Sequence, residues 1–354
     1  MCHDGEVDDD QTSMNASATL AVRARAAGSV VAAAAGDALG APYEFQAPIS
    51  GSEEIGMIGG GVLGWAEAEW TDDTAMAIVV LEAAAAAPEN HDLRACSALD
   101  QIAREWYSWS MGTPDIGALT SHVIRRAAES ARADGRSVPR ASDFQRAASE
   151  VHRDLPRVSG NGALMRTHAA AIAALLQSDD VAQETIEAVC GLTHAHPDAS
   201  EACLLWGFAV RHAVLTGEID VRRALPRLGA ERRGLWERRI EEAEASEPAS
   251  FPRNGWVVHA FQAALAAVHG VGAIPAGKFA QRAALVQALE SAVRAGNDTD
   301  TVACIAGSLM GGALGFKAVP PEWRREMFGW PGYGVKELVA LVESLVPVPA
   351  EGLA

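Results

Sequence analysis

Leu20-Ala21-Val22-Arg23-Ala24-Arg25-Ala26-Ala27-Gly28-Ser29-Val30-Val31-Ala32-Ala33-Ala34-Ala35 is the stretch from which the fold can be read. It holds no proline, and alanine, its dominant residue, has the highest intrinsic helix propensity. The same character returns at residues 74–87, 93–109, 118–133, 163–176, 181–192, 199–215, 257–268 and 279–295. Helix punctuation accompanies these runs: Pro88 follows one, Gly191 and Gly270 lie near the ends of others, and Asp73 and Asp198 stand at helix starts. Strand signals are scarce. The pattern predicts an all-α protein, a compact single-domain multi-helix array of roughly a dozen helices at ordinary helix lengths.

That domain is expected over residues 19–346. Asp4, Glu6, Asp8, Asp9 and Asp10 mark residues 1–18 as an acidic disordered tail, and 347–354 form a short C-terminal tail. The chain has 354 residues, enough to bury a large core without disulfides. Its net charge of −17 argues against a nucleic-acid backbone or an anionic membrane as partner, since both require a basic face. Cys2, Cys96, Cys190, Cys203 and Cys304 form no CxxC pair, so neither a zinc site nor a disulfide framework is indicated. A reducing, cytoplasmic setting is expected. The apolar run 30–35 is short and ends in Gly36-Asp37, so it reads neither as a membrane span nor as a signal peptide.

Two stretches interrupt the helical pattern. Residues 50–69 are glycine-rich, and 56–64 are expected to form a mobile flap over a site. Residues 241–254, with Pro248 and Pro252, read as a polar linker. The near-echo of Gly36-Asp37-Ala38-Leu39-Gly40 in Gly311-Gly312-Ala313-Leu314-Gly315 is too short to count as a repeat.

Chemistry concentrates in two clusters, Trp70-Thr71-Asp72-Asp73-Thr74 and Gly296-Asn297-Asp298-Thr299-Asp300-Thr301, each just before a helical run. Helix capping accounts for one oxygen at each start. Two acids with flanking threonines exceed that need, and all-oxygen donors suit a hard divalent cation, magnesium or manganese in its place. If the clusters converge, Asp72, Asp73, Asp298 and Asp300 bring four negative charges together, and Glu44 adds a fifth. Two divalent cations would nearly neutralise them. Convergence also favours one domain over two.

These motifs together resemble the ADP-ribosylglycohydrolase family. The matching pieces run in family order: Gly36-Asp37-Ala38-Leu39-Gly40 with Glu44-Phe45, Trp70 to Thr74, Asp115-Ile116-Gly117, Ser159-Gly160-Asn161-Gly162-Ala163-Leu164-Met165-Arg166, Thr193-His194 with Pro197, and Asn297 to Thr301 followed by a glycine-spaced helix to Gly315. The resemblance implies an all-α fold with two magnesium ions between helix starts. It implies metal ligation by Thr71, Asp72, Asp73, Asp298, Asp300 and Thr301, and catalytic roles for Glu44, Asp73 and Asp298. Gly160, Asn161 and His194 would touch ADP-ribose, and Gly117 is added as a diphosphate-loop candidate.

The expected activity is magnesium-dependent cleavage of the glycosidic bond between ADP-ribose and a modified protein side chain or small molecule. A magnesium-dependent nucleotide phosphohydrolase and a non-catalytic ADP-ribose-binding module are the alternatives. His194 and His196 lack a third ligand at metal spacing and read as structural. Asp37 reads as a helix-end hydrogen-bonding residue. Arg166 could meet a phosphate or pair with a site acid. The nine tryptophans read as core residues, and none is assigned to a base.

Overall fold

The alanine-rich run becomes a helix much longer than its apolar part, α1 (Val7–Gly40). The computed structural model describes residues 7–87 and 91–348, with side chains from residue 17 onward. Of the two expected tails, residues 1–6 and 349–354 lie outside the described residues. Helical backbone begins at Val7, inside the segment read as an acidic tail.

The first half continues with α2 (Asp72–Ala86), α3 (Cys96–Ser110), α4 (Ala118–Ala133), α5 (Ala141–Asp154), α6 (Thr167–Ala173) and α7 (Asp179–Gly191). Next come α8 (Pro197–Thr216), α9 (Ala230–Glu244), α10 (Val257–His269), α11 (Lys278–Arg294) and α12 (Thr299–Leu314). After α13 (Pro321–Glu326), strands β1 (Phe328–Gly329) and β2 (Tyr333–Gly334) pair antiparallel, and α14 (Val335–Leu345) closes the order. The all-α expectation holds.

Two differences have a clear cause. Helix α9 reaches Glu244, into the expected linker, because Trp236, Ile240 and Ala243 recur at helical spacing and are buried beneath a charged exterior. The predicted helix 163–176 shrinks to α6. Before it, the chain turns tightly, with the N–H groups of Leu164 and Met165 both donating to Asn161 O.

Residues Ser17–Tyr43 are long and apolar enough to cross a membrane by length and composition alone. Here residues 26–42 are buried within the protein. Helix α1 lies antiparallel to α12, and glycines let the two backbones touch. A Cβ on Gly36 would sit 2.1 Å from Ala303 O, one on Gly307 2.2 Å from Ala32 O, and one on Gly311 2.1 Å from Gly28 O. No side chain fits in such gaps. Ser29 Oγ donates to Ser308 O at 2.7 Å, and Thr299 Oγ1 to Gly40 O at 2.8 Å, along the same seam. The short glycine echo is therefore two faces of one helix crossing. It draws the start of α12 onto the end of α1, where Glu44 follows.

One continuous apolar core joins residues from Ala26 to Val346. Trp70, Trp106, Trp206 and Trp236 are fully buried in it.

Candidate active site

The first acid cluster is held open by a residue from another helix. Asp37 accepts from the N–H groups of Thr71 (2.8 Å) and Thr74 (2.9 Å) and from Thr74 Oγ1 (2.6 Å). Asp37 thus satisfies the start of α2, as its structural reading requires. Asp72 and Asp73 are freed from capping.

The second cluster is fixed by two asparagines. Asp298 N–H donates to Asn254 Oδ1 at 3.1 Å, and Asn161 Nδ2 donates to both Asp298 Oδ2 (2.8 Å) and Asn254 O (2.9 Å). Glu44 is pinned alongside by a backbone bridge: Phe45 N–H donates to Asn297 O and Asn297 N–H to Gln46 O, each at 2.7 Å. Both Phe45 and Asn297 adopt positive φ to make this turn, 63° and 61°. Only a well-supported site sustains such backbone.

These elements close around a cavity of about 450 Å³ whose walls include Glu44, Asp72, Gly117, Gly160, Asn161, His194, Asp298, Asp300 and Thr301. Thr71 and Asp73 complete the cluster. Thr71 Oγ1 lies 3.4 Å from Asp72 Oδ1 and 3.5 Å from Asp73 Oδ2 and Asp300 Oδ2, while Thr301 Oγ1 is 3.3 Å from Asp73 Oδ2. All the residues expected as cation ligands, catalytic groups or ADP-ribose contacts meet here.

The buried Arg166 guanidinium interacts with Asp72 and Asp73 at longer range, without an ion pair. Burial raises Asp72, Asp73 and Asp300 well above the usual carboxylate range, and neighbouring carboxylates add to it. Burial, then Asp298, Asp115, Asp72 and Asp37, push Glu44 up to about 9. Burial also raises Asp298, although hydrogen bonds from Asn161 and Thr301 oppose it. Among the described residues no ion pair reaches these acids. His194 is pushed down to about 3 by burial and by Arg166, so it is neutral.

Carboxylate oxygens of Asp37, Asp73 and Asp300 lie within 4.8 Å of one another, as do those of Glu44, Asp115 and Asp300. Asp73 Oδ1 is buried without a hydrogen-bond partner. An orphaned oxygen inside a ring of hard donors fits divalent cations.

Asp115 is a site residue that sequence reading passed over, although it was quoted beside Gly117. It lines the cavity, and burial, Asp37 and Asp298 raise it to about 6. Asn254 was hidden in the supposed linker. The Gly117 backbone hydrogen-bonds Asp72, so its amide already serves an acid. Gly160 and Gly162 form a smooth floor against the imidazole of His194, whose Nε2 is buried and unpartnered.

Two expectations need correction, on Arg166 and on the stretch 56–64. Arg166 neither lines the cavity nor pairs with an acid among the described residues. Its guanidinium donates to Gly162 O and to Thr193 Oγ1 (2.6 Å) and covers the Trp106 ring at 4.3 Å. The stretch 56–64 does not line the acid cavity. It folds back through a Gly60–Trp65 bridge onto the turn at Ala41–Tyr43, which precedes Glu44. His194 and His196 part company: His194 faces the acids, while His196 Nδ1 accepts from Asp198 N–H at the start of α8.

A second groove shares Val158, Gly160 and Gly255 with the acid cavity. It carries Arg157, Arg253 and Trp256, with the Arg253 guanidinium 5.2 Å from the Trp256 ring centre. Cations and a flat aromatic thus continue directly from the carboxylates.

Comparison with known proteins agrees with this arrangement. A family model described as ADP-ribosylglycohydrolase matches residues 18–352. The chain is 27% identical to the ADP-ribosyl-[dinitrogen reductase] glycohydrolase of Rhodospirillum rubrum, over 85% of this chain and 90% of that one. It is also 27% identical to the ADP-ribosylarginine hydrolase Tri1 of Pseudomonas putida (strain GB-1), over 84% of this chain and 73% of the relative. A solved structure, "ADP-ribosylglycohydrolase-related protein complex", superposes with a TM-score of 0.67 at 24% identity, covering 92% of this chain and 98% of that chain. That likeness shows the fold.

Proposed function

The chain belongs to the ADP-ribosylglycohydrolase family, and from that premise we propose that it hydrolyses the bond between ADP-ribose and an ADP-ribosylated acceptor, using two magnesium ions or manganese in their place. The observation that carries this reading is a cavity walled by buried carboxylates that make no ion pair among the described residues and run straight into an arginine- and tryptophan-bearing groove. A ribose over the acids, a diphosphate near Arg157 and Arg253, and a base against Trp256 would use every part of it.

Thr71, Asp72, Asp73, Asp298, Asp300 and Thr301 would hold the cations. When bound, these supply Lewis acidity and orientation to the ribose hydroxyls. Cleaving a ribosyl bond passes through an oxocarbenium-like transition state and requires proton transfer at the anomeric carbon's substituents. Glu44, in the wall of the cavity, would transfer the proton at the attacking water or at the leaving group. Asp115, close to Glu44 and Asp300, is placed to share that proton transfer. Asn161 orients Asp298, and the neutral His194 offers Nε2 to a substrate oxygen.

The test is incubation with arginine-linked and serine-linked ADP-ribosyl peptides and magnesium, measuring free ADP-ribose with and without EDTA. ADP-ribose release that EDTA stops supports the reading. Inorganic phosphate as product would replace it with a nucleotide phosphohydrolase, and tight binding without turnover would leave a binding module.

A further inference from the structure

A separate hollow of about 490 Å³ opens on the other side of Thr71. Four tryptophans, Trp65, Trp70, Trp109 and Trp330, line it together with Phe328. Trp70 and Trp109 are anchored in the core, whereas Phe328 is 43% exposed and Trp330 36%. Large aromatics left open to water around a concave surface mark a binding surface.

Its chemistry is one-sided. Among the described residues Glu69 is the sole charged side chain on the wall, and no lysine, arginine or histidine lines it. Glu69 Oε2 accepts from Ala66 N–H at 2.9 Å, which leaves Oε1 available to a guest. Trp70 Nε1 is already committed to Trp330 O at 3.1 Å, but Trp65 Nε1 is buried without a partner among the described residues. Aromatic faces beside one carboxylate favour a cation. A guanidinium suits them best, being planar and weakly hydrated.

Its position ties it to the reaction. Thr71 belongs to its wall while its hydroxyl touches the carboxylates of the acid cavity, and Thr113-Pro114 on the same wall lead into Asp115. The route assigned above to the ADP half leaves the acid cavity through different residues, Val158, Gly160 and Gly255.

We propose that this aromatic hollow is an acceptor subsite, which takes an unmodified arginine side chain of the acceptor protein close to the ADP-ribosylated residue. The inference rests on the hydrolase reading above and adds to it the determinant of acceptor choice.

The experiment uses the full chain and ADP-ribosyl peptides that carry arginine or citrulline, the uncharged isostere, at positions flanking the modified residue. At the best flanking position, arginine should lower KM about tenfold relative to citrulline at unchanged kcat. Glu69→Gln and Trp330→Ala should each erase that difference while retaining turnover of the citrulline peptide. Equal KM values for the two peptides in the unsubstituted protein, or a preference that survives both substitutions, overturns the proposal. Calorimetry with the unmodified arginine peptide separates the two claims. Binding of that peptide that Glu69→Gln weakens, without ADP-ribose release from any substrate, upholds the subsite and defeats the hydrolase reading. Release with neither binding nor a KM preference does the reverse.

Discussion

Asp143 and Asp198 are buried carboxylates, and so are Asp73 and Asp300, yet the two pairs live in opposite electrostatic worlds. Arg136 grips Asp143 with two hydrogen bonds, at 2.6 and 2.9 Å, and holds it below the usual carboxylate range. Burial works against the charge of Asp198, but Arg239 and Arg232 bond it and pull it below that range too. Asp73 and Asp300 face threonine hydroxyls and other acids, with no ion pair, and burial drives them far up. Arginines pair with Asp143 and Asp198, two buried acids outside the cavity. No arginine pairs with the acids of the cavity among the described residues, and that is compatible with the cation site proposed above.

The largest effect that probes this contrast is on turnover. Asp300→Ala should cut ADP-ribose release at least about a thousandfold, several kcal/mol of lost cation chemistry. Its helical circular dichroism should match the parent, since no arginine is orphaned by the change. A variant with normal activity would remove Asp300 from the ligand set.

Stability should then divide the two groups by sign. Asp198→Ala takes from Arg239 its carboxylate, while Arg232 keeps Glu201, and should cost about 1–3 kcal/mol in denaturant unfolding. Asp73→Asn in divalent-free buffer relieves like-charge crowding and should stabilise, by something on the order of 1 kcal/mol. Adding magnesium should raise the melting temperature of the parent and leave that of Asp73→Asn nearly still. If both substitutions destabilise alike, the contrast is wrong.

A smaller loss is expected at Glu44, to which proton transfer is assigned in the proposed reaction. Glu44→Gln should lower kcat about a hundredfold or more while calorimetry finds ADP-ribose affinity unchanged. Loss of affinity in step with rate would make Glu44 a binding group.

The mildest test is pH. Asp143 and Asp198 have depressed values in the folded protein, so their stabilisation is complete above an unfolded carboxylate value of about 3.9 and fades as pH falls through the folded values. Glu44 behaves oppositely. Raised to about 9 in the fold, it favours the native state at low pH, and that advantage is lost as pH climbs from about 4.3 towards 9. In EDTA, the melting temperature should therefore drift downward between pH 5 and 9, and magnesium should flatten or invert the slope.

Much of this was legible in the chain because it is written locally. Alanine runs declare most helices, and surplus oxygen at two helix starts marks the acids that meet in one cavity. Other features depend on long-range partners. Asn254 looks like linker until Asp298 N–H, over forty positions later, is seen to need its Oδ1. Asp115 stands alone in sequence and becomes chemical only beside Glu44 and Asp300. Helix α9 was misjudged because its charged exterior outweighs three buried apolar residues in any running average. The glycine echo was discounted for its shortness, since pairing across more than 260 residues leaves no periodic trace.

That glycine crossing also restricts how the enzyme can move. With main chain resting on main chain, α1 and α12 have no compliant side-chain layer on which to slide or hinge. Any opening that admits substrate must be made by the surrounding turns, such as the strained bend at Phe45, while the acid-bearing ends of the two helices keep a fixed spacing through the catalytic cycle.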